Sequence, residues 1–565
     1  MKRVLRSGPV ALACLSCFLG ISCSGDDSPT TADMGMNSPD LTQRNDGPGL
    51  EITVRDSDSM EPFPARVLIS AVAPTRKPDF RSNGTTTREM SAGVIGSPEG
   101  VLLATGAAAR IPLPAGTYDL TILQGPEYEW QQRRVTISGK QVVPLDVTLQ
   151  RAFRTDGWLA ADMHIHSSRS FDSKIDAGYR IVSEVASGVE VLVPTEHSLH
   201  TDLAPQIDAM GYGARAVSIP GSEYGFNGGH LGVYPVIVEP DRPPLFGGPK
   251  WQEWPWTNVL AETHFPLIHD LPGSPLIIIN HPRLPPDLGY FFNIGWQPNQ
   301  PLATANLFDG MEVLAGYEGL PEHVTALLRD WFYFLNEGRR IVGVGNSDTH
   351  RIDWLRAGYP RTWLRLATDA PDRVLPVDLR EALQNQRAIA SNGPFVQMMV
   401  DGKDIGDMVK VQGGKVSVHV VADAAGWVDL SRVQLYRNGA LVREFNVDRK
   451  RHPALDQTIS FDAPGDGWLV AVAVGDRELP TAVIGEVFAG KTRPLAFTNP
   501  IWLDSDGDGK IVIPGANVPA PQPWGAIPMD PRPNAGADIF RPLHAPLDCA
   551  PEEYLNWAMR YGDRF

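Results

Sequence analysis

Ten of the thirteen histidines in this 565-residue chain fall between His164 and His350. Most close an apolar run or stand beside a carboxylate. The phrases are "WLAADMHIH", "VEVLVPTEH", "AVSIPGSE", "GGHLGVYPV", "PLIIINHPR" and "IVGVGNSDTH". His164 and His166 lie two apart on a strand-like run, so both imidazoles project to one face and can bind one ion or adjacent ions. Asp348 and His350 repeat that spacing. Between them come Asp172, Glu196, His197, Glu223, His230 and His281, each beside an expected strand end. Imidazoles and carboxylates gathered in this way are what a multi-metal hydrolytic centre needs. Neighbouring ions share a water, lower its pKa toward neutrality and clamp the oxygens of the group being cleaved. The mixed donor set suits Zn, Mn or Fe, and no cysteine in the segment favours a softer metal. Because the nucleophile would be hydroxide, neither a serine nor a cysteine nucleophile is required, and the segment has no Gly-x-Ser-x-Gly elbow.

The elements that must hold these residues are legible in the same stretch. From residue 154 to 393, apolar runs alternate with helical patterns such as "AGYRIVSEVASG" and "EHVTALLRDWFYFLNEG". Runs as continuous as "PLIIIN" read as strands buried on both faces, in a parallel sheet or barrel wrapped by helices. Active sites of such barrels lie at the C-terminal ends of the strands, where the histidines fall. Residues 50–153 differ: "LEITVRD", "ARVLISA", "TYDLTIL", "RRVTISG" and "VVPLDVTL" alternate apolar and polar residues between turns at Pro114, Gly116 and Gly139. They predict a small β-sandwich. Residues 394–497 predict a second one, with "VSVHVVAD" at period two and Asn438-Gly439 between two strand-like runs, a strong hairpin signal. Residues 498–565 form a Pro-rich extension.

The N-terminus bears Lys2, Arg3 and Arg6 ahead of an apolar stretch from Val10 to Ile21, which reads as a secretory signal too short to span a membrane. Its end, "LGISCSGDD", resembles a bacterial lipoprotein lipobox with Cys23 as the acylated residue, although Gly20 stands where Leu is usual. The expectation is therefore a signal over 1–22, a flexible tether over 23–49, and an extracytoplasmic body lipid-anchored to the cell envelope at the outer membrane. Cleavage there would leave Cys549 as the sole thiol, with no intrachain disulfide. The formal net charge of −16 makes nucleic acid a poor partner, because phosphate neutralisation by Lys and Arg supplies most such affinity.

The pattern "DMHIH…TEH…E…H…NHP…NSDTH" resembles the PHP (polymerase and histidinol phosphatase) superfamily of metallohydrolases, and more closely its CehA/McbA type. "GYPRTWL", "ASNGPF", "GWVDLSRVQLYRNG" and "FTNPIWLDSDGDG" are similar to that group as well. The resemblance implies a distorted seven-stranded (βα) barrel with two or three divalent ions at its mouth. It places one ion on His164, His166, Glu223 and Asp348, a second on Glu223, His230 and His281, and a third on Asp172, His197 and His350. Glu223 bridges the first two, and Glu223, Asp348 and His350 stand closest to the chemistry. Two departures are visible. "TEH" replaces the commoner "TDH", so Glu196 is assigned to support rather than ligation, and Asp172 lies one residue further from His166 than is usual.

Arg283 in "NHPRL" and Asn346 in "GNSDTH" adjoin proposed ligands and are candidates to contact the substrate. Trp251, Trp254 and Trp256 suggest packing of a long loop, or an aromatic lid. His200, His264, His269 and His323 are set aside as ordinary packed or surface histidines. "DSDGDG" reads as a turn, or as the start of a calcium loop that lacks its closing acid, since residue 515 is Gly515. The expected activity is hydrolysis of an ester-type bond, carboxylic or carbamic, in a small-molecule substrate. A phosphoesterase and a non-catalytic surface-binding lipoprotein are the alternatives.

Overall fold

A computed structural model describes residues 47–226, 228–242, 247–248, 261–285, 288–485, 491–513 and 518–525. The signal, Cys23 and most of the tether lie outside the described residues, as do Trp251, Trp254, Trp256, Gly515 and the extension beyond 525. The chain is mixed α/β and rich in sheet. Among the described residues no helix is long and apolar enough to cross a membrane.

The alternating N-terminal segment forms two sheets. Gly49–Asp56 lies between Ala109–Pro112 and Val142–Leu149, and Ala65–Ala71 lies between Gly100–Leu103 and Gly116–Leu123 in a six-stranded partner. The two inner faces supply Leu50, Ile52 and Val54 on one side and Val67, Ile69, Leu120 and Ile122 on the other, all buried in one core. Period-two patterning at this spacing gives a two-layer β arrangement because each strand hides only one face.

The C-terminal segment is similar. Phe395–Val400, Lys415–Asp423 and Leu455–Asp462 make a three-stranded sheet whose Val396, Met398, Val418 and Val420 pack with Leu435, Leu469 and Ala471. Asn438 and Gly439 link Arg432–Arg437 to Ala440–Asn446. Both have positive φ, 51° and 85°, as a tight hairpin turn of this type requires. Ala388–Ser391 pairs with Arg361–Leu364 on one side and Leu495–Thr498 on the other, so one ladder runs across residue 393.

"DSDGDG" forms a turn: Asp504 accepts the amides of Gly507 and Gly509, and Asp508 accepts that of Lys510. Asp466 stands close enough to Asp504 and Asp506 to share a cation, but its two oxygens already accept the amides of Ser505 and Val512.

The segment between them holds the histidines. Leu159–Ile165, Val191–Pro194 and Val217–Ser218 run parallel. Ser222–Phe226, Gly229–Tyr234, Leu276–Ile279, Gly310–Ala315 and Val342–Asn346 form a second sheet. Its last three strands are parallel, but Gly229–Tyr234 is antiparallel to both neighbours. Only two residues separate Phe226 from Gly229. That is enough for a hairpin and far too few for the crossover a parallel pair needs.

Helix Ala177–Val185 begins where Asp176 accepts the Gly178 amide at 2.8 Å. Helix Pro321–Asn336 opens on proline and buries Leu327, Leu328, Trp331 and Phe334 along one stripe. Each such side chain contributes about 1.5–3 kcal/mol on leaving water.

Two seams join these sheets. The Asp348 amide donates to the His164 carbonyl (2.9 Å) and the His166 amide to the Thr349 carbonyl (3.2 Å). On the other side, the Ser198 amide donates to the Glu223 carbonyl (2.8 Å) and the Glu223 amide to the Glu196 carbonyl (3.2 Å). The backbone alone therefore brings His164, His166, His197, Glu223 and Asp348 to one place.

His323, in the first turn of Pro321–Asn336, is buried, and burial depresses its pKa to about 3. The folded chain thus favours neutral His323: its contribution is complete above the unfolded value of 6.5 and is lost as pH falls from there toward 3. His323→Leu is expected to shrink the stability lost between about pH 7 and 4.5 by about 2 kcal/mol. Urea melts of chelator-stripped parent and variant measure this. Equal pH dependence would contradict it.

Candidate metal centre

One carboxylate organises the site. Glu223 is buried, and its Oε1 lies 3.1 Å from His164 Nε2, 3.2 Å from His230 Nδ1 and 3.2 Å from His281 Nε2. Its Oε2 lies 3.3 Å from both His166 Nε2 and His197 Nδ1. Asp348 Oδ1 is 3.1 Å from His164 Nε2 and 3.3 Å from His166 Nε2. Asp172 Oδ2 lies between His197 Nε2 (2.9 Å) and His350 Nε2 (3.0 Å). All nine side chains expected as ligands are therefore gathered, Asp172 included despite its unusual spacing.

The grouping is more interwoven than the sequence suggests. Ligand atoms cluster as His166–Asp172–His197–His350, His164–His166–Glu223, His164–His281–Asp348 and His197–Glu223–His230. His166 thus joins the Asp172 set, and His281 faces Asp348 as well as Glu223.

The residues fit divalent ions on three observations. Donors about 2.0–2.2 Å from a common ion stand about 3.0–3.6 Å from one another, from octahedral to tetrahedral geometry, and the contacts above match that spacing. His166 Nε2, Asp172 Oδ1 and Asp348 Oδ1 are buried without a hydrogen-bond partner among the described residues, which native interiors seldom tolerate. His281 and Asp348 also hold the left-handed backbone region, with φ of 26° and 53°. Such conformations cost roughly 1–3 kcal/mol and persist where surrounding bonds over-determine them.

Those surrounding bonds come largely from a residue the sequence reading passed over. Glu312, fully buried on Gly310–Ala315, meets His164 Nδ1 at 2.9 Å and accepts the His281 amide at 2.7 Å and the Asn346 side-chain amide at 3.0 Å. An Nδ1–H donated to Glu312 leaves His164 Nε2 free to ligate. The available signal was a lone carboxylate inside the apolar run "GMEVLA". Asp162 does the same for the loop after Asn346, accepting the amides of Ser347 and Gly358. Ser170 Oγ stands 2.9 Å from His166 Nδ1 and accepts the His197 amide. Glu196 acts as a support, as expected: its carboxylate accepts the Ser167 amide and hydroxyl.

Electrostatics follow from this packing. Burial opposes ionisation of Glu223, but His164, His230 and His197 outweigh it and hold the carboxyl well below its usual range. Asp172 is likewise held low by His197 and His350 against burial. Burial pulls His164 down, and Asp348, Glu223 and Glu312 more than reverse that. In His230 burial wins, and its pKa falls. Divalent cations entering here would take the place of imidazolium protons, the usual coupling between metal binding and pH.

Two expected substrate contacts are corrected. Asn346 is fully buried, with its carbonyl oxygen accepting the Met163 amide and its amide nitrogen donating to Glu312. It positions the centre and, with no solvent-exposed surface, does not face a substrate. The Arg283 guanidinium turns to helix Pro321–Asn336, pairing through two nitrogens with Asp330 at 2.5 and 2.8 Å and donating to the Trp296 carbonyl. Both failed for the same reason: buried polar groups beside ligands are first claimed by structural partners. The four histidines set aside stay out of the cluster. His200, for example, bonds the Tyr224 hydroxyl and the Ile237 carbonyl.

The chain matches no protein-family model and no curated protein.

Elemental analysis of the purified protein is expected to find more than one divalent ion per chain. Asp172→Ala should lose about one of them, and Glu223→Ala nearly all, since Glu223 touches five imidazoles. Full stoichiometry in Asp172→Ala would remove Asp172 from the ligand set.

Proposed function

We propose that this chain is a metal-dependent hydrolase that cleaves an ester-type bond, carboxylic or carbamic, in a small molecule. The observation that carries the reading is the nine-residue cluster around Glu223, closed on its inner side and open on its outer. His164 and His166 are fully buried, whereas the side chains of Asp172 (18%), His230 (17%) and His350 (14%) reach solvent. A structural metal site is closed all round, while a catalytic one keeps an open position.

The further parts of the reading rest on the sequence resemblance. We propose a PHP-type centre of the CehA/McbA kind on a distorted (βα)7 barrel. The strands Leu159–Ile165, Val191–Pro194, Ser222–Phe226, Gly229–Tyr234, Leu276–Ile279, Gly310–Ala315 and Val342–Asn346 would be its staves. The anchor through Cys23 and the extracytoplasmic location are proposed with it.

Divalent ions held here supply a water ionised near neutral pH and a Lewis acid for the substrate oxygen. The chain's residues do the rest. Glu223 spans both halves of the cluster and fixes their separation. Asp348, rigid through its own amide bond to His164, lies across His164 and His166. His350 Nε2, 3.0 Å from Asp172 and partly solvated, would complete the donor set of Asp172 and His197 at the mouth. Glu312 orients His164 from behind. The acidic chain disfavours polyanionic substrates and supports the ester reading over a phosphoester.

The test is an assay with Mn or Zn against p-nitrophenyl acetate, an aryl carbamate and a phosphodiester. Turnover of the first two, reduced by 10²-fold or more in Asp348→Asn, is expected. Activity confined to the phosphodiester would replace the ester reading with the phosphoesterase one. A protein that neither carries nor takes up metal would favour a binding role.

A further inference from the structure

With Arg283 and Asn346 engaged elsewhere, the mouth of the centre needs another group to meet the substrate's reacting oxygen. Tyr317 sits in the 3-10 turn Gly316–Glu318, directly after the strand that carries Glu312. Its ring lies edge-on to His350, with centroids 6.3 Å apart at 64°, and His350 is one of the cluster residues that reach solvent. Tyr317 is half-buried, and among the described residues its hydroxyl makes no hydrogen bond.

Two other side chains beside the cluster offer no free donor. Arg351, next to His350, forms a two-pronged pair with Asp353 (3.0 and 3.1 Å), lies over the Trp354 ring and reaches the Asn83 carbonyl. Phe171, 4.8 Å from the His197 ring, supplies an apolar wall and no donor. A half-buried phenolic O–H without a partner, beside a histidine at the partly solvated rim of the cluster, is suited to donation to an oxygen on which charge develops.

We propose that Tyr317 is a catalytic residue that donates its phenolic hydrogen bond to the substrate's developing oxyanion. The inference rests on the ester-hydrolysis reading. A water oxygen bonds to the carbonyl carbon, the carbonyl π pair moves to oxygen, and the water's proton leaves to solvent. Tyr317 donates to that oxygen without giving up its proton. On collapse the π bond re-forms, the bond to the leaving oxygen breaks, and that oxygen takes a proton from solvent, giving acid and alcohol.

Tyr317→Phe in the full metal-loaded protein tests it. We expect kcat to fall roughly 30- to 300-fold, the range for loss of one oxyanion donor, with KM within about threefold and metal content and thermal midpoint unchanged. Replacing Tyr317 with an acidified fluorotyrosine should add an alkaline loss of kcat that the parent lacks, which a purely structural role would not produce. A Tyr317→Phe enzyme as active as the parent, or one whose loss follows metal content, would overturn the proposal. So would a fluorotyrosine enzyme with the parent's pH profile. If the parent hydrolyses no ester with either metal, the functional reading falls first and this inference with it.

Discussion

The sharing of the Glu223 carboxylate among five imidazoles is the constraint on which the rest of the structure depends. A buried carboxylate surrounded by histidines from four strands is stable only if every one of those strands presents its histidine at the right depth. The seams between the two sheets serve that need, because each runs through a ligand or its neighbour: Asp348 to His164, Thr349 to His166, Glu196 and Ser198 to Glu223. The same bonds that complete the backbone also set the distances between donors. Metal binding at these residues would therefore be coupled to folding of this segment.

The support around the cluster is arranged in layers. Glu312 and Asp162, both fully buried acids, hold the backbone and ring orientations from below, while Ser170 and Asn280 fix the sides; Asn280 donates to Glu223 Oε1 at 2.9 Å. Buried acids are costly unless each oxygen is bonded, and here the bonded partners are the amides and imidazoles that need orienting. A loop of the N-terminal segment also reaches this region: the Ile352 amide, two residues past His350, donates to the Gly84 carbonyl. Gly84 itself has φ of +87° and no room for a side chain against Asp353. The flanking segment thus bears on the loop that presents His350.

Much of this was legible in the sequence, and the reasons differ by element. The convergence of these side chains could be read because metal chemistry restricts residue type and strand geometry restricts spacing: His164/His166 and Asp348/His350 obey period two. The alternating strands of both flanks and the Asn438–Gly439 hairpin were equally plain, since turn and pleat chemistry are local. The antiparallel Gly229–Tyr234 strand was not, because a continuous apolar run looks alike in either direction and only the two-residue gap after Phe226 decides. Glu312 was hidden for a related reason: one polar residue in an apolar run has no period. Arg283 and Asn346 were misread because sequence proximity to a ligand does not reveal which way a side chain turns.

We propose that ions, not protons, hold the nine side chains together. Anomalous diffraction from crystals of the manganese-loaded protein tests it most directly. The account predicts separate peaks on the two sides of the Glu223 carboxylate, one within ligand distance of Oε1 and another within ligand distance of Oε2, with Asp172, His197 and His350 beside further density. A map without anomalous peaks, in which Glu223 is simply hydrogen-bonded to protonated imidazoles, would contradict it.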